Sequence, residues 1–202
     1  MGGAPSIRCG DRELVQIVDA ALADSARRSG AWLACRIGCT QCCIGVFAIT
    51  QLDVVRLQEG LAELQQHDPK RAERVRRRVH AAARRLRAGF PGDASTGVLA
   101  ESGDGFEDYA NDEPCPVLDP ETGECDLYAA RPMTCRVFGP PVRSEGGLGV
   151  CELCYHGATE EQIAACELHA DTDDLEAELL ARVEDATGKR GDTIVAFALR
   201  AL

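Results

Sequence analysis

Apolar positions along this chain recur at three- and four-residue intervals, and no segment reads as a confident strand, so the pattern predicts a mainly helical protein. A first helix is expected over 11–34, capped by Asp11, with Leu14, Ile17, Val18, Ala21 and Leu22 on one face. A second opens at Thr50, where Thr50-Gln51-Leu52-Asp53 is close to a capping box, and turns Leu52, Val55 and Leu61 inward. His67-Asp68-Pro69 ends it, and Pro69 suits the first position of a third helix. The stripe there is Ala72, Val75, Val79, Ala82 or Ala83, and Leu86.

Periodicity then stops. Residues 89–111 are rich in Gly, Asp and Ser and read as a long loop that separates two groups of cysteines. Tyr128-Ala129-Ala130 starts a short helical turn that Arg131-Pro132 ends, and 140–149 reads as loop from its prolines and glycines, with short ribbons possible over 115–150. A capping box, Thr159-Glu160-Glu161-Gln162, opens a helix running to about His169. Further helices are expected over 171–187, with Gly188 past the end, and over 193–202 after Asp192. The organisation expected is a leading helix (1–34), a cysteine-cluster domain (35–155) and C-terminal helices (156–202).

Aromatic residues make up only 4% of the 202, so the core must be built from Ala, Leu and Val, which again favours helices. The net charge of −11 argues against nucleic acid as a partner. Charge is nevertheless segregated: 70–87 holds nine Lys/Arg and one acid, whereas 88–130 holds eleven acids and no base. The simplest consequence is intramolecular, a cationic helix near an anionic loop or each facing water, and a solvated face is the first expectation for the arginines of that helix. No stretch is apolar for the roughly 20 residues of a membrane span, and MGGAPSIRCGDRELVQ lacks the apolar core of a signal peptide. A cytoplasmic location is therefore expected.

Eleven cysteines change the picture. Four lie in Cys35-Arg36-Ile37-Gly38-Cys39-Thr40-Gln41-Cys42-Cys43; Cys115, Cys125, Cys135, Cys151 and Cys154 follow. A reducing compartment disfavours disulfides, an odd count leaves one thiol over, and the eight-membered ring linking adjacent cysteines is strained. Clustered thiolates are instead suited to a soft metal ion or an iron–sulfur cluster. Zinc, iron, and one centre or two all remain open on the count. A looser zinc-site outline, Cys151-x2-Cys154-x11-Cys166-x2-His169, competes with Cys166 as a small buried apolar residue, and Cys9 reads as a bystander. Arg131 and Arg136, flanking Cys135, suit either charge compensation of thiolates or ordinary salt bridges.

The pattern Cys35-x3-Cys39-x2-Cys42-Cys43 followed by AITQLDVVRLQEGL resembles the CxxCxxCC signature of the YkgJ-like cysteine-cluster proteins. The downstream CPVLDPETGECDLYAARPMTCRVF is similar to that family's second block, and the two together cover about residues 35–140. One departure is the extra residue between Cys35 and Cys39. The resemblance implies a zinc- or iron-chelating domain of bacterial type, with Cys35, Cys39, Cys42, Cys43, Cys115, Cys125 and Cys135 as ligands. Cys151 and Cys154 extend the candidate set to nine. A related cluster in flagellin lysine methylases implies, as the alternative, an iron–sulfur redox or methyltransferase-related enzyme. No nucleophile elbow, phosphate loop or H-E-x-x-H accompanies it, and 202 mainly helical residues are too few for a radical-SAM barrel despite the literal Cys-x3-Cys-x2-Cys. A metal ion is the partner expected, with neither membrane nor nucleic acid, and any protein partner is left open.

Overall fold

The computed structural model describes residues 6–36, 38–144, 146–170 and 174–200. It is mainly helical: α1 (Ile7–Ser29), α2 (Gln51–His67), α3 (Pro69–Arg85), β1 (Gly92–Asp93), β2 (Val98–Leu99), α4 (Met133–Val137), β3 (Val142–Ser144), β4 (Gly147–Gly149), α5 (Glu160–Ala164), α6 (Leu175–Thr187) and α7 (Val195–Leu199). The chain divides into two compact units. Unit 1 comprises Met1–Ile37 and Thr134–Arg182; unit 2 comprises Gly38–Met133 and Val183–Leu202.

Unit 2 is built on α2, α3 and α7. Thr50 and Asp53 form the full capping box at the start of α2. Asp68 caps α3 through the Arg71 N–H at 3.0 Å, with Pro69 in the first turn as expected. Ala72, Val75, Val79, Ala82, Ala83 and Leu86 are all buried, so the stripe read from spacing is the true inner face of α3. On α2 the inner face is Leu52, Val54, Leu57 and Leu61. Val55 is only half-buried, because the helix starts on the face set by Leu52 and its neighbour at 54 falls nearer the core. A short antiparallel bridge between Ile49 and Thr193, with N–H···O distances of 2.8 and 3.0 Å, ties the entry of α2 to the entry of α7. The last helix is shorter than 193–202: its cap residue is Ile194, not Asp192, and Val195–Leu199 are buried throughout. Residues 201 and 202 lie outside the described residues.

The aperiodic stretch 89–111 folds onto this core. β1 and β2 pair antiparallel around a turn in which Asp93 accepts from the Ser95 N–H (2.8 Å) and hydroxyl (2.6 Å). Phe90 meets Tyr109 and Phe197 edge-on, at centroid separations of 5.9 and 4.7 Å. Aromatic side chains far apart in sequence, and not helical period, hold the segment down.

Unit 1 begins with α1, which starts at Ser6 rather than Asp11; the Ser6 hydroxyl accepts from the Cys9 N–H at 3.3 Å. Cys9 is therefore in the first turn of the helix and exposed. Gly10, Leu14, Val18, Ser25 and Ser29 form its buried stripe, while Ile17 is exposed. The segment 140–149, expected as loop, contains the β3–β4 hairpin. α5 has the capping box but ends at Ala164, well short of His169. The start expected for α6 at Asp171 lies outside the described residues.

Candidate metal centre

The cysteines divide between the units. Unit 2 holds Cys39, Cys42, Cys43, Cys115 and Cys125, and unit 1 holds Cys35, Cys135, Cys151 and Cys154, with Cys9 and Cys166.

In unit 2, Cys42 and Cys43 sit on a single 3₁₀ turn, Gln41–Cys43, closed by the Cys43 N–H donating to the Thr40 carbonyl at 2.8 Å. The next residues pair with the chain before Cys115. Ile44 bridges Pro114, the Gly45 N–H donates to Glu113 O at 2.9 Å, and the Cys115 N–H donates to Cys43 O at 2.7 Å. Two cysteines seventy-two positions apart are thus fixed side by side through the backbone.

Cys125 arrives by a second local device. Residues 115–127 fold back on themselves, with Leu118 bridging Cys125, the Asp126 N–H donating to Val117 O at 2.8 Å, and Asp119 closing the bend to Gly123. The Asp119 side chain accepts from the Glu121 N–H at 2.9 Å, and Gly123 takes the left-handed φ of 71° that the bend requires. A side chain on Gly123 would touch Thr40 at 3.6 Å and Gly38 at 3.9 Å, so the residues on either side of Cys39 also lie against this bend.

The segregated charge explains how the bend is held. Arg71 and Arg78, on α3, both bind the carboxylate of Asp126, the residue after Cys125, and Arg78 also donates to Pro116 O at 3.0 Å. Arg85 pairs with Glu113, two residues before Cys115. The cationic helix thus fastens the anionic cysteine loop, and Arg71 and Arg78 are not simply a solvated face. Asp126→Asn is expected to lower unfolding free energy by about 2 kcal/mol. The discount from a fully buried pair reflects the partial exposure of both arginines, at 34% and 24%. Urea denaturation checks it; a midpoint unchanged from that of the unaltered protein contradicts it.

The four thiols Cys42, Cys43, Cys115 and Cys125 act on one another. A hydrogen bond from Cys43 holds the Cys42 thiol down at about 6, against the effect of burial, and the Arg131 guanidinium adds to the lowering. Cys43, as partner in that bond, is pushed up, with burial and the neighbouring Cys42, Cys115 and Cys125 acting in the same direction. Burial pushes Cys115 up to about 12 and also raises Cys125. Arg131 stacks on the Tyr128 ring at 4.0 Å. The two arginines flanking Cys135 therefore differ: Arg131 serves the thiols of unit 2, whereas Arg136 is buried in an ion pair with Asp19 at 2.7 Å. The 3₁₀ turn brings the sulfurs of the adjacent Cys42 and Cys43 within hydrogen-bonding reach of each other.

In unit 1, Cys151 and Cys154 are buried, and they belong to one apolar cluster with Tyr155 and Cys166, walled by Trp32, Leu33, Ala34 and Phe138. Cys35 is exposed, with its sulfur against Gly139. The zinc-site outline ending in Cys166 and His169 loses its premise, because α5 stops before both residues and His169 is exposed. Among the described residues, no three His, Cys, Asp or Glu side chains already stand in a metal-holding arrangement. No helix among them is long and apolar enough to cross a membrane.

The Asp126 clamp escaped the sequence reading. The abundance of arginine in 70–87 was its only signal, and it named neither the partner nor the register.

A family model described as "CxxCxxCC: Putative zinc- or iron-chelating domain" matches residues 34–154. The match opens one residue before Cys35 and closes on Cys154, taking in nine cysteines and leaving out Cys9 and Cys166. No curated protein and no solved structure matches the chain.

Proposed function

Because this chain belongs to the CxxCxxCC family, we propose that it is a thiolate chelator of zinc or iron whose principal centre is Cys42, Cys43, Cys115 and Cys125 in unit 2. The observation that carries this reading is the backbone pairing that sets Cys43 beside Cys115, with Cys42 and Cys125 within electrostatic reach of both. Four soft donors fill a tetrahedral shell, and neutral hard ligands are absent from the set, which suits zinc or iron rather than calcium or magnesium. When bound, the cation supplies the positive charge that four clustered thiolates need. The chain supplies the rest: Arg131 offsets residual negative charge, and the backbone pairing and the Asp126 clamp fix where the donors stand. Cys39, whose neighbours Gly38 and Thr40 lie against the same bend, is the fifth thiol of the unit.

The geometry favours chelation over catalysis. Around these thiols stand backbone amides, arginines and Tyr128, and the lowered Cys42 thiol, one donor among four clustered sulfurs, serves as a ready metal ligand. Metal analysis of variants purified without oxygen tests the assignment. Cys115→Ser and Cys125→Ser are expected to lower bound zinc or iron from this centre at least tenfold, while Cys9→Ser retains it. Equal metal in all three contradicts the assignment.

A further inference from the structure

The nine cysteines spanned by the family match outnumber the donors of one tetrahedral centre, and four of them lie in unit 1. We propose that unit 1 carries a second, separate site for a tetrahedral soft divalent cation of the zinc type, formed by Cys35, Cys151 and Cys154 with Cys135 as the fourth thiol. The cysteine run would then serve two centres, its first member going to one and its later members to the other.

Four observations support this site. Cys151-Glu152-Leu153-Cys154 is folded as a one-turn knuckle, with the Cys154 N–H donating to Cys151 O at 2.9 Å. That turn is the local geometry by which a Cys-x2-Cys pair directs two sulfurs to one ion. The residue after it, Tyr155, adopts a left-handed φ of 60°, which a bulky aromatic residue avoids unless its surroundings impose it. Here the imposition is visible: the Tyr155 N–H donates to Trp32 O at 2.8 Å and its hydroxyl bonds Ser29 at 2.5 Å.

The segment leading to Cys35 runs alongside the knuckle. The Ala34 N–H points at the Cys154 sulfur at 3.4 Å, the kind of amide contact that steadies a thiolate ligand. One residue on, the Cys35 sulfur occupies the space over Gly139, where any side chain would approach it to 2.6 Å. Gly139 in turn accepts from the Cys151 N–H at 3.4 Å, so the same glycine abuts the first thiol and is bonded to the second. Gly139 has a φ of 121°, so both backbone conformation and space require glycine there. Cys135 stands on α4, one turn before Phe138 and Gly139, and Phe138 packs on the cluster that contains Cys151 and Cys154.

Packing alone explains Cys166, which is buried in that cluster; packing alone does not explain a knuckle with a strained exit, an amide aimed at sulfur, and a glycine cleared for a third sulfur. The thiols must still close on the ion, since among the described residues none stand in a metal-holding arrangement.

The test uses the full chain, reduced, loaded with zinc without oxygen, freed of excess metal and counted by native mass spectrometry. Cobalt is loaded in parallel so that its thiolate charge-transfer bands report ligation. The unaltered chain is expected to hold two zinc ions. Cys35→Ser, Cys154→Ser and Cys115→Ser should each hold one, and Cys115→Ser/Cys154→Ser none. Cys35 is exposed, so its serine variant leaves the core alone. Cys166→Ala controls for packing and should keep both ions.

A single zinc that survives in Cys35→Ser and Cys154→Ser but is lost in Cys115→Ser overturns the second site and leaves the centre in unit 2 standing. The reverse, zinc lost in Cys154→Ser and kept in Cys115→Ser, keeps this site and removes the centre in unit 2. Loss of an ion in Cys166→Ala as well as in Cys154→Ser also overturns the proposal, since packing rather than ligation would then explain both.

Discussion

Strong chelation under reducing conditions is expected to lower the melting temperature of this protein by more than any single core substitution. Thiolate zinc sites in small domains carry apparent binding energies on the order of 10–16 kcal/mol, comparable with the whole stability of an ordinary domain at roughly 5–15 kcal/mol. The loss should not be uniform. Residues 38–50 and 112–130 of unit 2 contain the donors and are held only by short 3₁₀ turns, isolated bridges and one tight bend. They should lose amide protection first. α2, α3 and α7 share a continuous core around Leu57, Leu61, Val75, Val79 and Leu199 and should keep most of their helicity. Thermal melting with and without chelator, followed by hydrogen exchange, checks both parts. An unchanged melting curve contradicts a structural role for the metal.

Asp53→Ala is expected to cost about 3–5 kcal/mol, the range for removing one partner of a buried ion pair. One carboxylate serves three partners on two helices. It completes the capping box with Thr50, it pairs with the buried guanidinium of Arg56, and it accepts from the Met133 N–H at 2.9 Å. The last contact fastens the chain just beyond Arg131, whose charge acts on Cys42 and Cys125. Loss of the carboxylate should therefore loosen Arg131 as well as shorten α2. Asp53→Asn retains the shape and some hydrogen bonding and should recover part of the loss. A shift of under 1 kcal/mol in Asp53→Ala, read from urea denaturation, contradicts this account.

α2 and α3 of unit 2 were legible because each carries two independent signals, a period and a terminus. α3 shows both a stripe of small apolar residues and Asp68-Pro69 at its start, and the structure agrees with both. α1 was legible in its middle but not at its start, since Ser6 and Asp11 are equally good cap residues and periodicity alone does not choose between them. α5 carries its capping box yet ends early, because nothing in 165–169 announces the turn. α7 is apolar on every face and so has no period to read; burial rather than pattern makes it a helix.

The candidate site was legible as chemistry but not as geometry. The nine candidate cysteines, seven from the family resemblance and two from close spacing, all lie within the family match, and of the two arrangements that segregated charge left open the ion pairs of Asp126 select the helix against the loop. What no spacing rule contains is the division of the run between units, or the pairing of Cys43 with Cys115 across 72 positions. Both depend on long-range backbone contacts that leave no periodic trace.

Metal and acid-labile sulfide content of the full chain, purified untagged and without oxygen, together with its visible spectrum, tests the central claim most directly. This account predicts zinc or iron bound at one or more ions per chain, with sulfide and a brown chromophore if the iron is held as a cluster. A colourless chain that carries neither metal, with its thiols reduced and its melting curve cooperative, would contradict it.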